Sequence, residues 1–235
     1  MLAVFAHPDD ETFRCGGTLA LLAQRGVRVQ VLTATRGEGG SCGNPPHCTQ
    51  DELPALRERE LRCACTALGI EPPILLDYQD GDLSEVVPET IVAGILSVVN
   101  AVHPQIILTF GPDGISGHPD HVAVSRYTAA AYQRAADVTA LYHLAVPQSL
   151  ADVTDMKQIH AVPDSTITHI VDVSEVWDVK MTAIRCHRSQ MDESPILQDE
   201  PEKQRLFLGL EHFCLSASHF RPGNENVDLL KWLEN

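Results

Sequence analysis

Short apolar segments typical of buried strands alternate with longer segments of helical periodicity through residues 1–146. The sequence predicts strands and helices in strict alternation, at 2–6, 16–26, 27–33, 53–69, 74–76, 88–102, 105–110, 119–136 and 141–146. Alternation of this kind is typical of a parallel sheet, because each helix returns the chain to the starting edge of the sheet. We therefore predict an α/β fold with a mostly parallel sheet and helices on both faces.

The last third of the chain is less regular than the part before it. We predict a strand at 166–173, helices at 175–190 and 201–213, and a short helix at 227–234. No Ser- or Gly-rich linker separates these segments from the rest of the chain. The prediction is therefore one Rossmann-like domain over 1–235, with its C-terminal third forming a flank or lid on the sheet.

The charge balance excludes some classes of partner. The chain has 32 acidic and 17 basic residues and a formal net charge of −15, whereas surfaces that bind nucleic acid or anionic membranes need clustered Lys and Arg. Its apolar runs are far shorter than the roughly 20 residues of a membrane-spanning helix. Met1 leads straight into a predicted strand, which indicates no signal peptide. These features predict a cytoplasmic protein with no membrane span and no nucleic-acid partner.

The chain has seven cysteines, an odd number without the spacing of a small disulfide-bonded domain. Reduced thiols are therefore expected, in keeping with a cytoplasmic setting. Cys42, His47 and Cys48 form one cluster that could bind a structural metal, but their spacing is not that of a familiar zinc motif. We expect them to be ordinary loop residues.

Polar segments follow the first four predicted strands: HPDDE (7–11), TRGEGG (35–40), DYQDGD (77–82) and GPDGISGHPDH (111–121). The carboxyl ends of parallel strands meet at the ligand-binding edge of an open sheet, so these segments should converge. A hydrolytic zinc ion typically takes three ligands from His, Asp and Glu and keeps one position open. His7, Asp10, His118 and His121 could supply them, although the residues alone do not say which three. The alternative is that they only cap helices.

The segments AHPDDE (6–11), TRGEGG (35–40) and PDGISGHPDH (112–121) resemble the signature blocks of the LmbE-like, or PIG-L-type, zinc-dependent N-acetylglucosamine deacetylases. HRSQ (187–190) is also similar to that family. The resemblance implies that His7, Asp10 and His121 are zinc ligands and that Asp9 is the general base. It implies that His118 stabilises the oxyanion and helps to protonate the leaving amine.

Further residues are predicted to support the reaction. The resemblance implies that Arg57 and Asp80 bind substrate hydroxyls; the alternatives are a helix-surface ion pair of Arg57 with Glu60 and a turn role for Asp80. Asp113 and Asp120 could orient His118 through its second ring nitrogen, or simply cap the loop.

These observations favour zinc-dependent N-deacetylation of a small N-acetylglucosamine-containing conjugate. Iron(II) could replace zinc at a His2Asp site, and the resemblance implies that homo-oligomers are common. One alternative is an amidase that acts on a larger amide such as a thiol S-conjugate. Another is a non-catalytic Rossmann-like binding protein, but AHPDDETFRCGG lacks the GxGxxG turn of a nucleotide-binding strand–helix junction and no predicted site residue is missing.

Overall fold

The computed structural model describes residues 1–154, 158–191 and 194–219 of the 235-residue chain. The strands are β1 (Leu2–Phe5), β2 (Gln30–Thr35), β3 (Ile74–Tyr78), β4 (Ile106–Phe110), β5 (Ala140–Ala145), β6 (His169–Asp172) and β7 (Leu210–Ser218). The α-helices are α1 (Asp10–Phe13), α2 (Gly16–Gln24), α3 (Leu53–Leu68), α4 (Pro88–Val102), α5 (Pro119–Arg134), α6 (Gln148–Thr154), α7 (Trp177–Cys186), α8 (Arg188–Met191), α9 (Pro195–Gln198) and α10 (Pro201–Leu208).

The strands form one sheet in the order β3-β2-β1-β4-β5-β7-β6, and the first five are parallel. The chain winds outward from β1 through β2 to β3 and then crosses to the other side of β1. Because the crossovers are right-handed, this reversal places α2 and α3 on one face and α4 and α5 on the other. The predicted α/β class, with a mostly parallel sheet and helices on both faces, is confirmed.

The core lies between these layers and explains the apolar strand segments. Every residue of β1 and β4 is buried, as expected for central strands covered on both faces. Phe5 and Phe110 meet edge to face across the two strands, with ring centroids 5.3 Å apart. The central strands are therefore packed on both faces, and the loops that follow them start from the ends of buried strands.

The C-terminal third completes the sheet with two antiparallel strands, β7 beside β5 and β6 beside β7. The helix predicted at 201–213 ends at Leu208, so that prediction is wrong for its last residues, which begin β7. Pairing on both edges of β7 overrides the local helical pattern. The helix predicted at 175–190 is broken at His187 between α7 and α8. The helix predicted at 227–234 lies outside the described residues.

A disulfide joins Cys63 of α3 to Cys186 at the end of α7, which corrects the expectation that all the thiols are reduced. Helices α3 and α7 pack against each other and bring the two Cα atoms within 5.7 Å, although the residues are 123 positions apart in sequence. The spacing of these cysteines in the sequence therefore could not predict that they pair.

Among the helices that the structure describes, none is both long and apolar enough to cross a membrane.

Candidate metal centre and active site

Seven of the nine predicted site residues line one cleft at the point where the strand order reverses, at the carboxyl ends of β1 and β4. The cleft has a volume of about 340 Å³. Its lining includes all the residues that were predicted to be catalytic, metal-binding or substrate-binding: His7, Asp9, Asp10, Arg57, Asp80, His118 and His121. The switch point of an open α/β sheet is where ligand sites are expected, because the loops there diverge and leave a crevice.

The donor atoms of His7, Asp10 and His121 converge. His7 Nδ1 lies 3.2 Å from His121 Nε2 and 3.8 Å from Asp10 Oδ2, and His121 Nε2 lies 3.3 Å from Asp10 Oδ1. A tetrahedral zinc ion with ligands at about 2.0–2.1 Å needs donors about 3.3 Å apart, so the residues present fit such an ion. A ring nitrogen of His118 also comes within 4.8 Å of one on His7 and one on His121.

The electrostatics of this cluster favour positive charge. Burial alone would lower the pKa of His7, but the carboxylates of Asp120, Asp80 and Asp10 raise it to about 10. Burial would raise the pKa of Asp10, yet His121 and His7 hold it well below its usual range. Between side chains that are this buried, opposite charges that are close together stabilise one another's ionised form. The donors thus surround a position that is suited to a cation.

Carboxylates behind His7 fix the orientation of its ring. Its Nε2 lies 2.9 Å from Asp80 Oδ1 and 3.1 Å from Asp120 Oδ2. Asp120 is itself anchored, because it accepts the backbone N–H groups of Gly81 and Leu83. A proton held on Nε2 leaves the Nδ1 lone pair for a metal, which is how supporting carboxylates set the tautomer of ligand histidines.

This geometry corrects two predictions and gives a third residue an additional contact. Asp80 lines the cleft, where its role in binding substrate stays a prediction, and its carboxylate contacts His7 and accepts the Gly39 N–H. Asp120 was predicted to orient His118 through its side chain, but the carboxylate contacts His7, and only the backbone N–H of Asp120 bonds to His118. Asp113 was predicted to do the same, and its carboxylate accepts the Ile115 N–H within its own loop.

His118 is the N-cap of α5. Its Nδ1 accepts the backbone N–H of Asp120 at 3.2 Å, which requires a lone pair on Nδ1 and leaves the ring proton on Nε2. Burial and the nearby rings of His7 and His121 lower the pKa of His118, so the neutral ring is favoured. His118 therefore offers the cleft a neutral N–H donor.

His121 donates Nδ1–H to the Gly114 carbonyl at 3.1 Å, which frees its Nε2 as an acceptor.

Arg57 holds the loop that carries Asp9. Its Nη2 donates to Asp9 Oδ2 at 3.0 Å and to the Pro8 carbonyl, and its Nη1 donates to the Gly37 carbonyl. A Cβ atom at Gly37 or Gly40 would overlap the guanidinium, which explains glycine at both positions of TRGEGG. Arg57 is buried, so the helix-surface alternative for this residue is excluded, and its guanidinium faces a carboxylate at the edge of the cleft.

The HRSQ block supports the site from α8 and from the break before it, a role that its sequence did not indicate. Ser189 donates both its N–H and its hydroxyl to Glu60, and the Gln190 amide donates to the Ser41 carbonyl. His187 contacts Glu11. The likeness of HRSQ to the family was the available signal, but its partners lie more than 100 residues away in sequence and no local pattern identifies them.

Cys42, His47 and Cys48 do not form a metal site in the described part of the chain. Clusters of three or more convergent metal donors occur there only around His7. The Cys42 thiol instead lies 3.5 Å from the side-chain oxygen of Gln50. These residues lie in the loop that follows β2.

The fold and the site define a class: α/β proteins with a cluster of His and Asp side chains that could hold a metal ion at the switch point of a parallel sheet. Within that class, the chain belongs to the PIG-L family, described as GlcNAc-PI de-N-acetylase, which its residues 2–132 match. The resemblance that the motifs indicated is thereby confirmed.

Known relatives are similar to this protein over most of its length. It is 35% identical over 228 residues to a 1D-myo-inositol 2-acetamido-2-deoxy-alpha-D-glucopyranoside deacetylase of Actinosynnema mirum, covering 81% of this chain and 80% of that protein. It is 30% identical to a probable N-acetyl-alpha-D-glucosaminyl L-malate deacetylase 2 of Bacillus cereus, covering 100% of this chain and 94% of that one. The fold matches N,N'-diacetylchitobiose deacetylase of Pyrococcus horikoshii, with a TM-score of 0.68, 19% identity, and 91% and 82% of the two chains covered.

We expect Asp80→Ala to weaken metal binding about 10–100-fold, the usual effect of losing a residue that supports a ligand histidine. The physical reason is that His7 loses one of the two carboxylates on its Nε2. Competition with a fluorescent chelator measures the affinity. Asp82→Ala is the matched control, because Asp82 is an exposed residue of the same loop. Wild-type metal affinity with a raised KM would instead support the substrate role predicted from sequence.

Proposed function

We propose that this protein is a zinc-dependent hydrolase that removes the N-acetyl group from an N-acetylglucosamine unit of a small conjugate. The observation that carries the proposal is that donor atoms of His7, Asp10 and His121 lie 3.2–3.8 Å apart in one cleft with Asp9 and His118. Family membership and two relatives named as deacetylases of N-acetylglucosaminyl conjugates support the substrate class.

The donor set suits the chemistry. His7, Asp10 and His121 would hold the ion, and a bound Zn²⁺ or Fe²⁺ would polarise the amide carbonyl and acidify the attacking water. A set of two imidazoles and one carboxylate would leave a coordination position open for the water and the amide carbonyl oxygen, as in hydrolytic zinc sites generally. Zinc is the proposed metal, with iron(II) as the alternative.

Asp9 acts as the general base in this proposal. Its carboxylate lines the cleft, and burial raises its pKa, an effect that the Arg57 guanidinium opposes. A base with a raised pKa holds the proton of the attacking water more firmly than an ordinary aspartate does. Arg57 limits that shift and fixes one carboxylate oxygen, so the other is the one available to the water.

His118 stabilises the negative charge that develops on the amide oxygen by donating its Nε2–H. A neutral N–H donor stabilises charge without needing to be protonated first. Since Nδ1 is engaged as the cap of α5, we propose that the proton taken up by Asp9, rather than one from His118, passes to the departing nitrogen. This departs from the protonating role that the family resemblance implies for His118.

The test is release of a primary amine by the purified protein after loading with Zn²⁺ or Fe²⁺. The panel contains N-acetylglucosaminyl-inositol, N-acetylglucosaminyl-malate, diacetylchitobiose, and an amide-linked thiol S-conjugate. Amine release from an N-acetylglucosaminyl compound is expected. Release from the S-conjugate alone would support the amidase alternative, and metal binding without any amine release would support a non-catalytic binding protein.

Several expectations about the setting of the protein stay predictions. A single domain over 1–235 rests on the absence of a linker, and the absence of a nucleic-acid partner rests on the net charge of −15. A cytoplasmic location likewise stays a prediction. Self-association into a homo-oligomer rests on family resemblance. Sedimentation of the purified chain measures its oligomeric state.

A further inference from the structure

The proposed general base has an unusual backbone conformation. Asp9 has φ of 109° and ψ of −28°, and a positive φ is uncommon for any residue other than glycine. Such a conformation persists only where the surrounding contacts hold it, and it is often found at functional sites. The contacts that hold Asp9 therefore decide where its carboxylate points.

Two buried side chains form a connection to the backbone of Asp9. Glu11 Oε2 accepts the Asp9 N–H at 3.0 Å, and Glu11 Oε1 lies 2.6 Å from His187 Nε2. Glu11 is 0% exposed and His187 is 1% exposed. The two oxygens of the Glu11 carboxylate thus have different partners: one accepts the backbone N–H of Asp9, and the other contacts His187.

The fold holds His187 in place from the other side. His187 stands at the break between α7 and α8, where its N–H donates to the Ile184 carbonyl and its carbonyl accepts the Gln190 N–H. Ser189, two residues on, is hydrogen-bonded to Glu60 of α3. The histidine therefore belongs to a turn that is anchored independently of the loop at 7–11.

Glu11 depends on His187 for its position. A buried carboxylate needs hydrogen-bond donors on both oxygens, since no water replaces a missing one. Without the His187 N–H, Glu11 is expected to rotate toward another donor and release the Asp9 N–H. The guanidinium of Arg57 holds the side-chain carboxylate of Asp9. Loss of the Glu11 contact to the backbone would therefore let Asp9 tilt about its hydrogen bond with Arg57.

We propose that Glu11 and His187 are positioning residues for the Asp9 base: His187 orients Glu11, and Glu11 holds the backbone of Asp9 so that its carboxylate faces the cleft. This inference rests on the proposed function, because it assigns the pair a purpose in the same reaction. Neither side chain lines the cleft, so both act through Asp9.

The test compares His187→Gln, His187→Asn and His187→Ala. The amide nitrogen of Gln can replace Nε2 of the imidazole, whereas Asn carries the same amide but is one methylene too short to reach Glu11. We expect Asn and Ala to lower kcat about 10–100-fold, the effect of misplacing a reacting group by about 1 Å, while KM and bound metal stay within twofold. Gln is expected to stay within about threefold of the wild type.

His212→Ala is the matched control, because His212 is another buried histidine with a charged partner, Arg14, and it lies on β7. Its kcat should match the wild type. The double variant Glu11→Ala, His187→Ala should lose no more kcat than Glu11→Ala alone, since residues that act in series are not additive. Equal kcat for His187→Ala, His187→Gln and His212→Ala would overturn the proposal.

The amide resonance of Asp9 provides a readout that needs no substrate. In ¹H–¹⁵N spectra a hydrogen bond to the Glu11 carboxylate should place it downfield and protect it from exchange. We expect the resonance to be retained in His187→Gln and to move upfield in His187→Asn. No movement in either variant would contradict the inference even if the wild type hydrolysed no amide, and amine release tests the proposed function separately.

Discussion

Asp9→Asn is expected to keep its metal and to lose about 10²–10⁴-fold in kcat, the usual contribution of general-base catalysis. Asn has the size of Asp and keeps an oxygen for the 3.0 Å contact with Arg57, but its amide cannot accept the proton of the attacking water. Asp10→Asn is the matched variant. It should lose metal affinity, because Asp10 provides one of the three converging donors.

Elemental analysis and steady-state kinetics on the two variants distinguish the roles of these adjacent residues. The kcat/KM of the wild type should also fall as the pH is lowered through the pKa of Asp9, since a protonated carboxyl cannot act as a base. Burial raises that pKa above the ordinary value for aspartate. An Asp9→Asn protein that lacks metal, or that is metal-loaded and fully active, would refute the assignment.

His7→Ala and His121→Ala are expected to be purified with little or no bound metal. Each removes one of three protein ligands, so the loss of affinity should exceed the roughly 10–100-fold effect of removing a supporting residue. Metal content by elemental analysis and affinity by chelator competition measure this. Thermal unfolding in excess chelator compares the folds of the metal-free proteins.

His118→Ala is the control that separates two sets of ligands. His118 shares a cluster with His7 and His121, so it is the nearest rival to Asp10 as third ligand. With the set His7, Asp10 and His121, His118→Ala should keep stoichiometric metal and lose activity. If His118→Ala loses metal while Asp10→Asn retains it with native affinity, the third ligand is His118.

That the sheet is mostly parallel could be predicted, because the alternation of strands and helices is a local signal. Helix α4 was predicted at 88–102, the bounds that the structure has, since a first-turn proline and a continuous apolar periodicity mark it. Strand ends and the rule of right-handed crossovers then place HPDDE and GHPDH at one edge. The gathering of the seven predicted residues in one cleft follows from that topology.

The sequence by itself determined which residues surround the cleft, whereas only the tertiary structure decided what each of them contacts. The carboxylates of Asp80 and Asp120 meet on His7, and the pairing of Glu11 with His187 spans 176 positions. The Cys63–Cys186 bond and strand β7 likewise come from elements distant in sequence. Periodicity and motif spacing describe only the local geometry of the chain. Contacts between residues far apart in sequence depend instead on how the packed helices direct their side chains into the space behind the loops.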